Sequence, residues 1–452
     1  MRLANPPIEI DEDDSFKNDI FERRSCGQAL LNFVTKSENE LVISLDANWG
    51  EGKTTFAKMW QGMLSKEKIP NIYIDAFASD YLDDPFITIA GAVNSYLEKN
   101  KIKLKDKSEE FKRQAANIGA KLAGATTKMA IKAATLGVVG DSEIEALGDI
   151  KSDLARGVSN AVGDFIEERL TSHAKDIKTL ESFKSLLSEL PSLLSPEKNK
   201  PLVIIIDELD RCRPNYAVEI LEKIKHLFLV KNVVFLLVMH KKQLEQSIKC
   251  VYGDAIEAQA YLQKFINFEL SLPKNKGWPD IADTSRYNRY LFDWYRIDVG
   301  NQFDEFIHTI DALADYFNIS LRQLERAYAS LSAYYASASE SEYKPMGIVI
   351  FLCVIKVTDI DLFNELMLDE INFAELSKKS NFSGENISSK CDPGSILFPL
   401  VKKLEYFIDD VNEVGGSGNL DKISATGLEL KAHQVAAGDV IPYIARRLNL
   451  LK

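Results

Sequence analysis

The stretch DANWGEGKTT at residues 46–55 restricts the fold of this chain more than any other feature of the sequence. An apolar run at 40–46 leads directly into it. Behind it, apolar side chains return at helical spacing: Phe56, Met59, Trp60, Met63 and Leu64. A glycine-rich turn between a strand and a helix gathers backbone N–H groups that bind phosphate oxygens. The pattern therefore predicts a loop that holds the phosphates of a nucleotide.

The loop fits the pattern GxxxxGK[ST] except at its first position, where Ala47 stands instead of glycine. Alanine is tolerated at this entry bend if its backbone keeps a negative φ. Lys53 is predicted to be catalytic by reaching the β- and γ-phosphates, and Thr54 is predicted to bind Mg²⁺. The predicted phosphate-binding residues are Asn48, Trp49, Gly50, Glu51, Gly52, Lys53, Thr54 and Thr55.

A second motif, VIIIDELDRCRP at 203–214, includes a continuous apolar run, as expected of a parallel strand that is buried on both faces. Asp207 is predicted to hold Mg²⁺, and Glu208 to be the catalytic residue that orients and polarises an attacking water. Such carboxylates can also merely cap the next helix. The presence of both motifs in this order favours the catalytic interpretation. Asp210 and Arg211 either form a structural pair, or Arg211 faces the nucleotide of a neighbouring subunit.

Two further polar residues are candidates for sensing the terminal phosphate. His240 follows the fourth apolar run, where it can sense the γ-phosphate or the attacking water. An ordinary loop histidine explains this position equally well. Arg322, in NISLRQLERAY at 318–328, lies at the start of a predicted helix, where a guanidinium can contact the terminal phosphate and act in catalysis. A solvent-exposed helix arginine is an equally good interpretation.

Strand-like runs alternate with helical patterns along the chain, which predicts an α/β fold with a parallel sheet. Ligands of such sheets bind at the carboxyl ends of the strands, where both motifs lie. The predicted strands are 40–46, 71–77, 201–207 and 232–239. A mostly helical pattern extends from about 86 to 195 and resumes after 272–280, with polar breaks at 377–395 and 412–422.

The charge and the cysteines narrow the functional classes. Acidic residues outnumber basic ones by 67 to 55, and the formal charge of −12 disfavours a broad surface that coats nucleic acid. The five cysteines have no CxxC spacing, which argues against a disulfide framework or a zinc site. Because the amino terminus is acidic and lacks the apolar core of a signal peptide, we expect a cytoplasmic location.

One segment, 114–140, is rich in alanine and glycine and raises the question of a membrane helix. Lys121, Lys128 and Lys132 interrupt each of its apolar runs, so no spanning helix is expected. The spacings of seven and four put these lysines on one helical face. The segment is either a small-residue helix packed in a bundle, or an interfacial helix that contacts a membrane surface or an oligomer partner.

Six blocks of the chain occur in the order of a known family: ANWGEGKTT, YIDAFASDYLDDP, IIIDELDRCRP, ILEKIKHLF, NVVFLLVMHKKQL and YLQKFINFELSLP. Over these blocks, at roughly residues 15–330, the chain resembles the KAP P-loop NTPases. This family is named for a neuronal kinase-interacting membrane scaffold and a plasmid phage-exclusion protein. The resemblance implies the roles given above for the loop and the acidic pair. It also places Asp210 and Arg211 in a signature turn, and Tyr261 and Lys264 in the block that closes the core.

The resemblance implies an α/β parallel-sheet P-loop NTPase core with a helical insertion and a helical C-terminal lid region. The expected domains are a core at 1–100 and 196–275, an insertion at 101–195, a lid at 276–345 and a mostly helical region of unknown role at 346–452. Many family members carry two membrane helices between the two nucleotide motifs, which the three lysines argue against here. The chain also departs from the family at Ala47, at Phe77 in place of tryptophan, at Glu208 in place of aspartate and at His240 in place of an acid.

The function implied by the resemblance is Mg²⁺-dependent hydrolysis of ATP, or of GTP, as a conformational or assembly switch. The resemblance suggests a role in defence against phage or plasmids, or in the organisation of membrane-linked complexes. The protein would act as a homo-oligomer or with another protein as partner. Ala47 and His240 motivate an alternative, a nucleotide-binding scaffold with little or no hydrolysis. A nucleic-acid translocase is disfavoured because lysine clusters such as the one at 99–107 are sparse along the chain and mixed with acids. Residues 10–35 can contribute to the base pocket.

Overall fold

The structure is a computed structural model in which one parallel sheet carries the motifs. It describes residues 2, 9–11, 13–37, 39–82, 84–99, 101–122, 161–195, 200–275, 282–339, 342–390, 395–409 and 437–450. Five strands pair in the order β2-β3-β4-β1-β5, and each pair is parallel. The strands are β1 (Leu41–Asp46), β2 (Asn71–Asp75), β3 (Leu202–Asp207), β4 (Val233–Met239) and β5 (Phe268–Ser271).

The strands predicted from the sequence are confirmed to within two residues at their ends, and the sequence missed one strand. β2 ends at Asp75 rather than at 77, because the Asp75 carboxylate accepts a hydrogen bond from the Ala78 amide and caps a short helix. The missed strand, β5, lies at the sheet edge beside β1, and its side chains are mostly exposed. An edge strand with exposed faces lacks the continuous apolar run by which the central strands were recognised.

Helices cover both faces of the sheet. They are α1 (Arg24–Lys36), α2 (Lys53–Lys66), α3 (Ala76–Ser79), α4 (Pro85–Lys99), α5 (Lys101–Leu122), α6 (Ala161–Leu194), α7 (Pro214–Lys223), α8 (Lys241–Tyr252) and α9 (Ala258–Leu262). Alternate residues of β3 point to opposite faces. Ile205 packs with α1 and α2, whereas Ile204 packs with the helices of the other face. Burial on both faces explains why β3 and β4 are apolar at almost every position.

The predicted insertion contains α5 and α6, which pack against the core through aromatic side chains. The rings of Phe111 and Phe183 are 5.4 Å apart, and Phe183 lies 5.8 Å from Phe86 of α4. Residues 123–160, which include most of the segment 114–140, lie outside the described residues. In the described part of the chain, no helix is both long enough and apolar enough to span a membrane.

The rest of the chain forms helices around a second core. They are α10 (Asp283–Tyr295), α11 (Phe303–Tyr316), α12 (Leu321–Ser337), α13 (Met346–Thr358), α14 (Ile360–Leu368), α15 (Phe373–Ser380), α16 (Gly384–Lys390), α17 (Leu397–Ile408) and α18 (Val440–Leu450). One hydrophobic cluster extends from Tyr287 to Leu448 and includes the fully buried middle of α13. The expected boundary at 345/346 therefore falls inside one cluster. The polar stretch at 377–395 still contains the end of α15 and all of α16.

Candidate nucleotide-binding site

The glycine-rich turn joins the end of β1 to the start of α2, as the sequence predicts. Gly50 and Gly52 have φ angles of +81° and +83°, in the left-handed region where a residue with a Cβ is strained. Ala47 does not have a positive φ, so alanine is compatible with the entry bend. Turns of this kind gather successive N–H groups into a concavity that suits an anion. The backbone of this loop therefore meets the requirement for binding phosphate.

Lys53, the first residue of α2, is folded over this turn. Its Nζ donates hydrogen bonds to the backbone oxygens of Ala47 at 2.6 Å and Asn48 at 3.1 Å. Burial lowers the pKa of the Lys53 ammonium, and the negative charges of Asp210, Asp46 and Asp207 oppose that shift. Because neutral carbonyls are weaker partners for a buried cation than phosphate oxygens are, the ammonium is well placed to exchange them for a triphosphate.

The acidic pair lies at the end of β3. Asp207 is buried, and its two oxygens accept hydrogen bonds from the Tyr73 hydroxyl at 2.7 Å and from the Glu208 amide at 2.8 Å. Glu208 has a φ of +59°, which is unusual for a residue with a side chain and is typical of functional turns. Its Oε1 lies 3.1 Å from Nη1 of Arg211. Burial raises the pKa of Glu208, Arg211 opposes this, and Asp207 adds to it.

In the sheet, β4 separates the strand of the phosphate loop from the strand of the acidic pair, but side chains connect the two motifs. The indole Nε1 of Trp49 donates a hydrogen bond to Oδ2 of Asp210, which is buried. The ring of His240, at the end of β4, lies edge-on to the Trp49 ring at 5.5 Å. Nδ1 of His240 is buried and has no hydrogen-bond partner. Asp210 thus pairs with Trp49, and Arg211 with Glu208.

The amino terminus of α12 closes the site from the side of the second core. A capping box of Ser320 and Gln323 begins this helix, and Arg322 is its second residue. A Cβ atom placed on Gly50 would lie 2.8 Å from Cβ of Arg322 and 3.2 Å from its backbone nitrogen. The phosphate loop therefore touches the start of α12, where the helix dipole favours negative charge.

A cavity of about 800 Å³ unites these groups. Its walls include the predicted residues Trp49, Gly50, Gly52, Lys53, Thr54, Thr55, Asp207, Glu208 and Arg322. Asn48 and Glu51 belong to the loop but do not line the cavity. The sequence did not identify four further lining residues: Tyr287, Tyr290, Trp294 and Glu325. It did point to the region 10–35, which contributes Lys17 to Phe21 and Arg23 to the walls. Tyr287, Tyr290 and Trp294 share one face of α10 at helical spacing, but that spacing predicts only a helix face and not the cavity that the face lines.

A magnesium ion fits the chemistry of this cavity. Thr54 supplies a hydroxyl and Asp207 a carboxylate, and Mg²⁺ in phosphate sites takes only one or two protein ligands besides phosphate and water. Among the described residues, no group of three or more His, Cys, Asp or Glu side chains could hold a metal by itself. A Mg²⁺ held by Thr54 and Asp207 would take its remaining ligands from phosphate and water.

The parallel sheet, the phosphate loop at the end of β1 and the acidic end of β3 define a P-loop NTPase domain, a nucleotide-binding class. The sequence matches the family model of the KAP family P-loop domain over residues 24–337, which is more than half of the chain. The chain therefore belongs to the KAP family.

Solved structures add little to this assignment. Matches were found with 30 chains, among them the Aeropyrum pernix ORC2 protein in ADPNP–ADP complexes. That chain is 14% identical, with coverage of 95% of this chain and 94% of the other, and a TM-score of 0.31. A superposition this poor supports no statement about the site. Among curated proteins, none matches.

Proposed function

We propose that this protein binds ATP and hydrolyses its terminal phosphoanhydride in a Mg²⁺-dependent reaction, as a conformational or assembly switch. The observation that carries the proposal is the single cavity lined by the phosphate loop, the acidic end of β3 and the first turn of α12. Phosphoryl transfer needs a cradle for phosphate, a metal ligand, a group that positions water and a cation for the developing charge. Each of these groups has a candidate in this cavity.

The residues divide the work as follows. Lys53 leaves the carbonyl oxygens of the loop and neutralises charge on the β- and γ-phosphates. Thr54 and Asp207 hold Mg²⁺, which would neutralise charge on the phosphate oxygens when bound. Glu208 orients and polarises the attacking water, for which its raised pKa makes it a stronger base than an ordinary glutamate. Arg322 contacts the terminal phosphate from α12 and stabilises its negative charge.

The same arrangement supports the switch. Because the start of α12 touches Gly50, a triphosphate in the loop changes the contacts of the helix that belongs to the second core. A ligand shifts a conformational equilibrium only if it binds one state better than the other. Arg322 gives the closed state an additional contact with the terminal phosphate, and hydrolysis would remove it.

One observation favours a second candidate, a nucleotide-binding scaffold with little or no hydrolysis. The carboxylate of Glu208 is held by Arg211 at 3.1 Å, and a carboxylate bound to a guanidinium is a poorer base. If that ion pair persists after nucleotide binding, water is not activated. His240, where family members often have an acid, points the same way.

We also propose that the protein is cytoplasmic and that it acts either as a homo-oligomer or with another protein as its partner. The family suggests defence against phage or plasmids as the setting. ATP is the substrate assumed in the experiments, and the turnover assay should also include GTP. Nucleic acid is not a proposed partner, and contact of the segment 114–140 with a membrane surface remains a proposal that lies mostly outside the described residues.

Phosphate release from ATP and Mg²⁺, measured with the purified full chain, tests the two candidates. Glu208→Gln should abolish turnover and keep nucleotide binding. Glu385→Gln is the matched control, because Glu385 is exposed on α16, and it should leave turnover unchanged. Negligible turnover in the wild type and in Glu208→Gln alike, with binding in both, would instead favour the scaffold.

A further inference from the structure

Arg23 is a buried arginine whose guanidinium contacts three separate segments. Its Nε donates a hydrogen bond to the backbone oxygen of Pro273 at 3.1 Å, and its Nη1 donates one to the backbone oxygen of Glu51 at 3.0 Å. Its Nη2 lies 3.6 Å from a carboxylate oxygen of Asp283, and both side chains are only 5% exposed. The guanidinium also lies over the Phe21 ring, 4.5 Å from its centre. A buried guanidinium is tolerated only when paired in this way.

These three segments connect the phosphate loop to the second core. Glu51 lies in the loop between the two left-handed glycines. Pro273 follows β5, the last strand of the sheet, and Asp283 is the first residue of α10. Arg23 therefore touches the loop and both ends of the connection from the sheet to the helical bundle. A second ion pair, between Lys274 and the carboxylate of Glu51 at 3.0 Å, joins the phosphate loop to the segment after β5.

One close approach involves Arg23 itself, and a second involves the segment before it. A Cβ on Gly52 would lie 3.2 Å from Nη1 of Arg23, so the glycine lets the guanidinium lie against the loop. A Cβ on Gly27 would lie 2.8 Å from the Phe16 ring, which packs on Phe56 of α2 at 6.1 Å. Phe16 is thus packed between α1 and α2, and Arg23 directly precedes α1. A residue held at the start of a packed helix can transmit a displacement of the loop instead of absorbing it.

We infer that Arg23 is a positioning residue that couples occupancy of the phosphate loop to the position of α10 and α12. This inference rests on the proposed function, because it requires a nucleotide in the loop. When Lys53 releases the carbonyls of Ala47 and Asn48, the loop peptides rearrange, and the carbonyl of Glu51 moves with them. Arg23 holds that carbonyl together with Pro273 and Asp283, so α10, which begins at Asp283, follows.

Hydrogen–deuterium exchange of the full chain, with and without Mg²⁺ and adenylyl imidodiphosphate, tests the coupling. In the wild type, the analogue should slow amide exchange in α10 and α12, by about tenfold for a coupling of ordinary size. Arg23→Lys keeps the charge but loses the fork of donors, and when it is saturated with the analogue it should show no slowed exchange in α10. Arg24→Lys is the matched control, because the Arg24 side chain is 51% exposed and pairs with Asp14, and it should behave as the wild type.

Asp283→Asn is the second variant and covers the case in which Arg23→Lys fails to fold. Asparagine keeps an oxygen that can accept the hydrogen bond of the Asn275 amide, and it removes only the charge. It should also bind the analogue and lose the slowed exchange in α10. Slowed exchange of wild-type size in either folded variant would overturn the coupling, because a merely structural arginine would not affect this readout.

The outcomes separate this inference from the proposed function. Because the analogue is not hydrolysed, a wild type that binds it but does not turn over ATP contradicts the ATPase proposal alone. A wild type that binds the analogue with slowed exchange in α12 but not in α10 overturns the coupling alone. A wild type with no affinity for nucleotide overturns both.

Discussion

The contact between Gly50 and the start of α12 gives the sharpest prediction. In Gly50→Ala, the new Cβ would lie 2.8 Å from Cβ of Arg322, at a residue whose φ is +81°. A left-handed conformation costs a residue with a side chain about 1–2 kcal/mol. Overpacking adds about 1–3 kcal/mol, since the neighbouring atoms belong to the base of a side chain and to backbone. We therefore expect a loss of about 2–5 kcal/mol in stability.

Gly300→Ala separates the two contributions. Gly300 also has a positive φ, +59°, but a Cβ there would have nothing within 4 Å. This variant should lose only the backbone contribution, about 1–2 kcal/mol, and it should bind nucleotide as the wild type does. Gly50→Ala should in addition bind adenylyl imidodiphosphate more weakly, because the phosphate loop and α12 are pushed apart. Urea unfolding followed by tryptophan fluorescence gives the stability, and titration calorimetry gives the affinity.

A specific result would refute this reasoning. If Gly50→Ala loses no more stability than Gly300→Ala and keeps its nucleotide affinity, then α12 does not lie against the phosphate loop in solution. Arg322 would then lie too far from the phosphate loop to contact the terminal phosphate.

Three other variants test the site. Lys53→Ala should weaken analogue binding by about 10- to 100-fold, which is the loss expected for a charged hydrogen bond. It should also abolish any ATP-dependent assembly seen by mass photometry. Assembly that persists in this variant contradicts a nucleotide switch. Turnover should fall as the pH drops through the pKa of Glu208, which burial raises, because the base must be ionised. Arg211→Ala removes the cation that opposes this shift in pKa, so it should move the acidic limb of the pH–rate profile to higher pH. An unmoved limb excludes Glu208 as the base. Tyr73→Phe removes a donor to Asp207 and should change the Mg²⁺ concentration for half-maximal turnover, and an unaltered Mg²⁺ titration would argue against Asp207 as the ligand.

The sequence by itself was sufficient for the features encoded by short stretches. The continuous apolar runs predicted β1, β3 and β4, because a strand buried on both faces must be apolar throughout. The phosphate loop and the acidic pair each lie directly after such a strand, so their placement at one edge of the sheet follows from parallel pairing. The negative φ required of Ala47 was likewise a local condition, and it is met.

Tertiary structure alone decided which distant segments complete the cavity. Arg23 meets Pro273 across 250 positions of the chain, and no periodicity in either segment predicts that contact. The same holds for Tyr287 and Glu325, which reach the cavity only because α10 and α12 pack beside the sheet. Local patterns record whether a residue is buried and in what conformation, whereas the partner that buries it is chosen by packing between elements. The phosphate loop could therefore be recognised from the sequence, whereas the cavity wall built from α10 and α12 could not.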